Sequence, residues 1–253
     1  MVDADHGLDP LFQKLSHYLE LNDDQRRRVL ELAKNPTPVK PDTAIVSQGE
    51  SYGLCGILAK GWAIQYKTLS DGRRQVVNFL LPGTFTSLQA TVFGTSDHSI
   101  SMLTDGLLYS FKPEHLVDLI KHEPVLGMAI VWNRTQEEAI LMERLVSLGQ
   151  RSAKERVAHV LIELWHRLEL RGLDDQMKLP FPVGQAILAD LLGLTPVHIN
   201  RTLKTLKQDG LIDYDRKTVS LLDMDTLLEW ADFDDSYLHA QSLLNCDGSR
   251  LPD

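Results

Sequence analysis

Residues 185–212 restrict what this chain can fold into more than any other stretch. They read QAILADLLG and then, after Leu194, TPVHINRTLKTLKQDGLI. The pattern predicts two short helices joined by a sharp bend. Ala189 is small enough to let the helices approach closely, Gly193 accepts the backbone of a tight turn, and Ile199 pins the second helix onto the first. Thr195 is a good N-cap, and Pro196 suits the first helical position, where its missing N–H costs nothing. Leu203 and Leu206 continue the buried face. Val197, Asn200, Arg201 and Lys204 occupy the other face, with His198 beside them. The run IDYDRKTVSLL at 212–222 alternates like a short hairpin turning near Arg216 and Lys217, which predicts a wing.

A capped second helix of this kind can place its N-terminal part in the major groove of duplex DNA. The sequence therefore predicts a DNA interface made of Thr195, Val197, His198, Asn200, Arg201 and Lys204, with Gln185 from the preceding helix and Lys217 from the wing. Arg201 suits the O6/N7 edge of guanine, a contact worth about 1–3 kcal/mol of discrimination. Asn200 and His198 can read base edges or hold phosphates, while Lys204, Lys207 and Lys217 are positioning contacts. The competing reading is an amphipathic helical hairpin with a solvated charged face. It does not account for the small residue, turn glycine, buried isoleucine, capped start and wing all falling in register.

A net charge of -9 looks wrong for a chain that must approach phosphates. The charge is concentrated at the ends: residues 223–253 carry -7 and the first ten residues -3, leaving the body at about +1. Nucleic-acid binding depends on local potential more than on the total, so the acidic ends do not exclude it. No apolar run approaches the ~20 residues that span a bilayer. The N-terminus, MVDADHGLDP, lacks the basic and apolar regions of a signal peptide, so a cytoplasmic location is expected, with no membrane partner. Two cysteines, Cys55 and Cys246, are too few for a disulfide framework, a zinc ribbon or a Cys-ligated cluster. No metal site is predicted. Without a nucleophile elbow, P-loop, zincin pattern or acid–base pair, neither are catalytic residues, and the chain is not expected to be an enzyme.

The N-terminal half has a different character. Leu11, Leu15 and Leu19, then Val29, Leu30 and Ala33, predict two short helices around Asn22-Asp23. Pro36, Pro38 and Pro41 break any helix after them. Residues 42–111 hold short β-rich runs, with strands predicted at 43–47, 54–58, 99–104 and 107–111 and a tight hairpin at Asp71-Gly72. A small barrel or jelly roll fits these best, an α+β domain with one meander being the alternative. Pro124 opens a helix that runs to Leu148, about 25 residues or ~37 Å long. Met128, Ala129, Ile130, Val131 and Trp132 make its first half apolar nearly all round, so one face can pack on its own domain and another on a second copy of the chain. A single buried helix of a larger core is the alternative. Gly149 is expected to interrupt, and Ser152 with Glu155 forms a capping box that restarts a helix, making this joint a candidate hinge. The acidic segment 223–239 is predicted to form a final helix packed on the winged domain.

The order of β-rich domain, long helix, capped helix and winged helix-turn-helix resembles the Crp-Fnr superfamily, named for the cyclic-AMP receptor protein and the fumarate-nitrate regulator. The resemblance covers nearly the whole chain and is most specific at 61–85, 147–170 and 185–212. It implies an α+β fold with a cyclic-nucleotide-binding-like β-roll over 1–122, a dimerisation helix over 123–149, and a winged helix-turn-helix with acidic helix and tail over 150–253. The implied function is transcriptional regulation by a homodimer on a two-fold symmetric operator, gated by a signal at the β-roll, with RNA polymerase a candidate partner. The alternative is an effector-binding module acting through protein partners, with DNA binding secondary. By position, Arg201 matches the family's closing recognition-helix arginine. Val197 stands where the best-known members carry a base-reading glutamate, and Pro196 where one has arginine, so the usual operator sequence does not carry over.

The family's phosphate-binding cassette runs Pro-Gly-x-Phe, then Gly-Glu, then Arg-Ser ten residues beyond the Glu. Here Pro82, Gly83 and Phe85 remain, Ser87 and Leu88 replace Gly-Glu, and His98-Ser99 replaces Arg-Ser. Leu88 cannot accept a ribose hydroxyl, and His98 lacks the guanidinium fork that grips a phosphate. Arg73 or Arg74 could reach in from the neighbouring hairpin. The candidate effector pocket is thus Arg73, Arg74, Ser87, Leu88, His98 and Ser99, with no cofactor expected and cyclic AMP disfavoured. DHSI at 97–100 reads either as a different ligand motif or as a strand entry with a turn aspartate. His159 and His166 are expected at solvated or core-edge positions of their helix, and Cys55 is either a redox sensor or a small buried hydrophobe.

Overall fold

Alternation at every second residue builds the β-domain. A computed structural model describes residues 7–173 and 177–238, so the acidic tail beyond Leu238 lies outside the described residues. The chain begins with α1 (Asp9–Ser16) and α2 (Asp23–Leu32), the latter opened by an Asn22–Gln25 capping box. Eight strands follow: β1 (Pro36–Val39), β2 (Ala44–Val46), β3 (Cys55–Lys60), β4 (Ala63–Thr68), β5 (Arg74–Leu80), β6 (Thr84–Thr86), β7 (Ser99–Met102) and β8 (Gly106–Phe111). They form two four-stranded sheets, ordered β1-β8-β3-β6 and β2-β7-β4-β5. Leu58, Ala63, Leu80, Ile100 and Met102 pack together as one buried cluster. Ile57 and Ala59, the odd positions of β3, instead join Tyr109 and Phe111 under α1, α2, α3 (Pro113–His122) and the first turns of α4 (Pro124–Gln150). A period of two thus gives one strand two different cores.

The prolines of 36–41 exclude a helix but not a strand. Pro36 and Pro38 sit in β1, which lies at a sheet edge, where a missing N–H does not interrupt the ladder. The Asp71-Gly72 hairpin is present: Gly72 has φ +86°, and the amide of Leu69 donates to the Arg73 carbonyl at 2.8 Å.

The remainder comprises α5 (Ala153–Glu169), β9 (Lys178–Pro180), α6 (Gln185–Leu192), α7 (Pro196–Gln208), β10 (Ile212–Tyr214), β11 (Thr218–Leu221) and α8 (Met224–Ala231), ending in a 3-10 turn at Asp235–Leu238. The wing hairpin β10–β11 gains β9 as a third strand, in the order β10-β11-β9. Gly149 does not interrupt the long helix, which runs to Gln150. The break comes at Ser152, whose backbone leaves the helix (φ -65°, ψ 164°) while its side chain and that of Glu155 complete the capping box. A lone exposed glycine in a last turn costs only about 1 kcal/mol, which a helix this long can absorb. Two compact units result, one built on 7–68 and 79–135, the other on 69–78, 136–173 and 177–238. No helix among the described residues is long and apolar enough to cross a membrane.

Candidate nucleic-acid interface

The bend between α6 and α7 depends on one backbone conformation. Gly193 closes α6 with φ +63°, in the left-handed region that favours glycine, and its N–H donates to the Ala189 carbonyl. Thr195 then caps α7, its hydroxyl accepting the His198 amide at 3.2 Å, with Pro196 at the first helical position. Ile199, Thr202, Leu203 and Leu206 are buried beneath the helix. Burying that face turns the other outward: Val197, Arg201 and Lys204 are exposed, and no ion-pair partner for either cation occurs among the described residues. With Gln185, Pro196, Asn200, Thr205 and Gln208 they line a shallow concavity.

The structure brings together most of the residues predicted to contact DNA. The Asn200 amide donates to Gln185 Oε1 at 3.2 Å, joining the two helices and leaving Asn200 Oδ1 and Gln185 Nε2 unengaged among the described residues. The Thr195 hydroxyl is committed to capping. Lys217 is exposed on the wing turn, where Asp215 accepts the amides of Lys217 at 2.7 Å and Thr218 at 2.9 Å. Lys207 differs from the expectation of a phosphate contact: its ammonium pairs with Asp213 of the wing and lies over the Tyr214 ring.

Two features escaped the sequence reading. Arg156 of α5 donates to the carbonyls of Leu148 (2.8 Å), Arg151 (2.8 Å) and Leu192 (3.0 Å). A buried polar network also links α4 and α5. Glu163 accepts from Arg144 at 2.9 and 3.1 Å and from Arg167 at 3.3 Å, and Tyr237 reaches it at 3.4 Å. Asn78 accepts from Arg167 at 3.0 Å and donates to Glu137 at 2.8 Å. His159 lies in this layer at 1% exposure, not at a core edge as the sequence suggested, because Phe233 (4.9 Å) and Tyr237 (6.1 Å) cover its ring. Burial, with the guanidiniums of Arg151 and Arg144 nearby, pulls its pKa down to about 3 against the opposing pull of Glu143.

The candidate effector residues take separate partners. Arg73 pairs with Asp71 at 2.8 Å, and Arg74 with Asp190 of α6 at 2.7 Å. His98 is buried, its Nδ1 2.8 Å from Asp97 Oδ1, and the Asp97 carboxyl is held at about 2 by His98 and Lys67. The Ser99 hydroxyl accepts the Gln48 amide, and Leu88 begins a 3-10 turn at Leu88–Thr91. A cavity of about 640 Å³ does open in the β-domain, lined by Val46, Gly56, Thr86, Leu108 and Ser110 among others; of the six candidates, Ser87 alone lines it. The Cys55 thiol, buried and donating to the Ser87 carbonyl, is pushed up to about 11 by burial and by Glu114, which suits a packing group better than a reactive thiolate. No group of three or more His, Cys, Asp or Glu side chains able to hold a metal occurs among the described residues.

Residues 36–123 match the model of a cyclic nucleotide-binding domain, and residues 155–230 that of a Crp-like helix-turn-helix domain. The chain is 32% identical to the transcriptional activatory protein AadR of Rhodopseudomonas palustris over 68% of its length and 71% of that protein. It is 30% identical to the nitrogen fixation regulation protein FixK of Rhizobium meliloti, over 74% of this chain and 83% of that one. FixK2 from Bradyrhizobium japonicum shares the fold, with a TM-score of 0.71 at 23% identity, covering 78% of this chain and 96% of that structure.

Proposed function

This chain belongs to the Crp-Fnr family of DNA-binding transcriptional regulators, a family of transcription factors and not of enzymes, and from that premise we propose that it works as a homodimer on a two-fold symmetric operator, reading each half-site through residues 195–207. The observation that carries this reading is the outward face of α7, where Arg201 and Lys204 stand exposed, without an ion-pair partner among the described residues, beside the bridged Asn200 and Gln185. A guanidinium and a bridged amide on the N-terminal half of a capped helix suit the base edges of a major groove.

The homodimer rests on α4. Met128, Val131, Thr135, Glu138, Met142 and Leu145 are all exposed and follow one another at alternating steps of three and four. That is the spacing of a coiled-coil seam, and Leu145 at 70% and Met142 at 64% exposure are costly to leave in water. The domain assignment follows: 1–122 as sensor, 123–149 as dimerisation helix, 150–253 as DNA-binding part. The signal enters at the β-domain, whose cavity gives a small effector room. Transcription is raised, as the name of AadR states for that protein, with RNA polymerase as the partner. A salt-dependent mobility shift with a footprint tests the proposal. Two protected half-sites about 34–36 Å apart on one face of the duplex support it. An asymmetric footprint, or a monomer by light scattering at micromolar concentration that Leu145→Asp leaves unchanged, overturns it.

A further inference from the structure

Val197 is 79% exposed, the most exposed large apolar side chain among the described residues, and it stands on the first turn of α7 between Pro196 and the reading face. Neither Pro196 nor Val197 offers a side-chain donor or acceptor, so these two positions present carbon alone to whatever α7 meets. Arg201 follows four residues later on the same helical face, and both line the concavity over α7. A phosphate-facing position calls for a cation or a donor, and an ordinary solvent-facing one gains nothing from two methyls. Among base edges in the major groove, the C5-methyl of thymine is the apolar feature that such a side chain complements. Valine is also stiff, holding one dominant rotamer in a helix, so presenting its methyls loses little side-chain entropy.

We propose that Val197 is a specificity-determining residue that packs on the C5-methyl of a thymine in each half-site. The inference rests on the reading of α7 as the DNA-binding helix. Four residues of helix rise about 6 Å, and successive bases on a strand are spaced about 3.4 Å, so the thymine lies within about two base pairs of the guanine read by Arg201. Carbon contact alone also makes this position indifferent to hydrogen-bonding differences, so the methyl, not the pairing edge, is what is read.

The test begins with selection of an operator from randomised duplexes by the full-length chain. Each selected thymine is then replaced by deoxyuridine, which removes one methyl and keeps every hydrogen-bonding group. At one symmetry-related pair of positions, affinity falls about three- to fivefold per half-site, the effect of losing one buried methyl. In Val197→Ala, whose exposed site leaves folding intact as checked by thermal melting, the same replacement has little effect. Placing 5-methylcytosine at that position restores part of the affinity that cytosine loses. Deoxyuridine tolerated at every thymine, or an equal loss in Val197→Ala, overturns the methyl contact while leaving DNA binding standing. Failure to select any duplex overturns the DNA-binding reading itself, and this inference with it.

Discussion

Lowering the pH from 7.5 to 5.0 is expected to cost the second unit about 2 kcal/mol through His159 alone. The imidazole is fully buried against Phe233 and Tyr237, and burial with two neighbouring guanidiniums holds its pKa near 3. In the unfolded chain the same group takes up a proton near its ordinary value of 6.5. Between those two values the unfolded state binds more protons, so stability falls as pH falls through 6.5 and continues to fall towards 3. At pH 5.0 the interval already crossed is about 1.5 units at 1.36 kcal/mol each, or roughly 2 kcal/mol. The depressed Asp97 carboxyl acts in a lower window, since stability linked to it is lost only as pH drops below its ordinary value of 3.8. Urea unfolding of the wild type and of His159→Phe at both pH values measures the difference, the phenyl ring keeping the contact with Phe233. The wild type should lose about 2 kcal/mol more than the variant over this interval. Equal losses would refute the assignment of a buried neutral imidazole at this site.

Other consequences follow from the same residues. Arg201→Ala should weaken cognate binding by about 1–3 kcal/mol and relax one base position, whereas Lys204→Ala should weaken all sequences alike, both read by competition mobility shift. Gly193→Ala should cost about 1–2 kcal/mol, since a Cβ at φ +63° is strained and would sit 3.3 Å from Leu148 Cδ2; a lowered thermal midpoint reports it. Cyclic AMP should not bind at micromolar concentration, because Leu88 offers no acceptor and His98 faces the Asp97 carboxylate. Titration calorimetry checks this, and micromolar affinity abolished by His98→Ala would contradict it.

The parts of this molecule legible in the sequence are those decided by near neighbours. The Thr195 cap, the Gly193 turn and the Ser152–Glu155 box each need only residues within four positions, and all three stand in the structure. The features that were missed depend on partners far along the chain. Arg74 looks like a free hairpin cation until Asp190, 116 residues later, takes its guanidinium. Arg144 of α4 and Glu163 of α5 lie 19 residues apart on different helices, and no local pattern shows that they are buried against each other with Tyr237 reaching the same carboxylate. Pro36 and Pro38 forbid a helix by themselves, but only their pairing with Tyr109 and Leu107 makes them a strand.

Arg156 has a kinematic consequence. One guanidinium holds the carbonyl end of α4 at Leu148, the linker at Arg151 and the carbonyl end of α6 at Leu192. Hydrogen bonds from a charged donor are each worth about 1.5–3 kcal/mol, so separating these three chain ends is expensive. The last turn of α4, the start of α5 and the α6 support of the recognition helix therefore move as one block. Flexing the Arg151–Ser152 joint would have to break the bonds from Arg156 to Leu148 and Arg151. Lysine at 156 would keep the charge but lose the planar fork, turning a rigid coupling into a loose one.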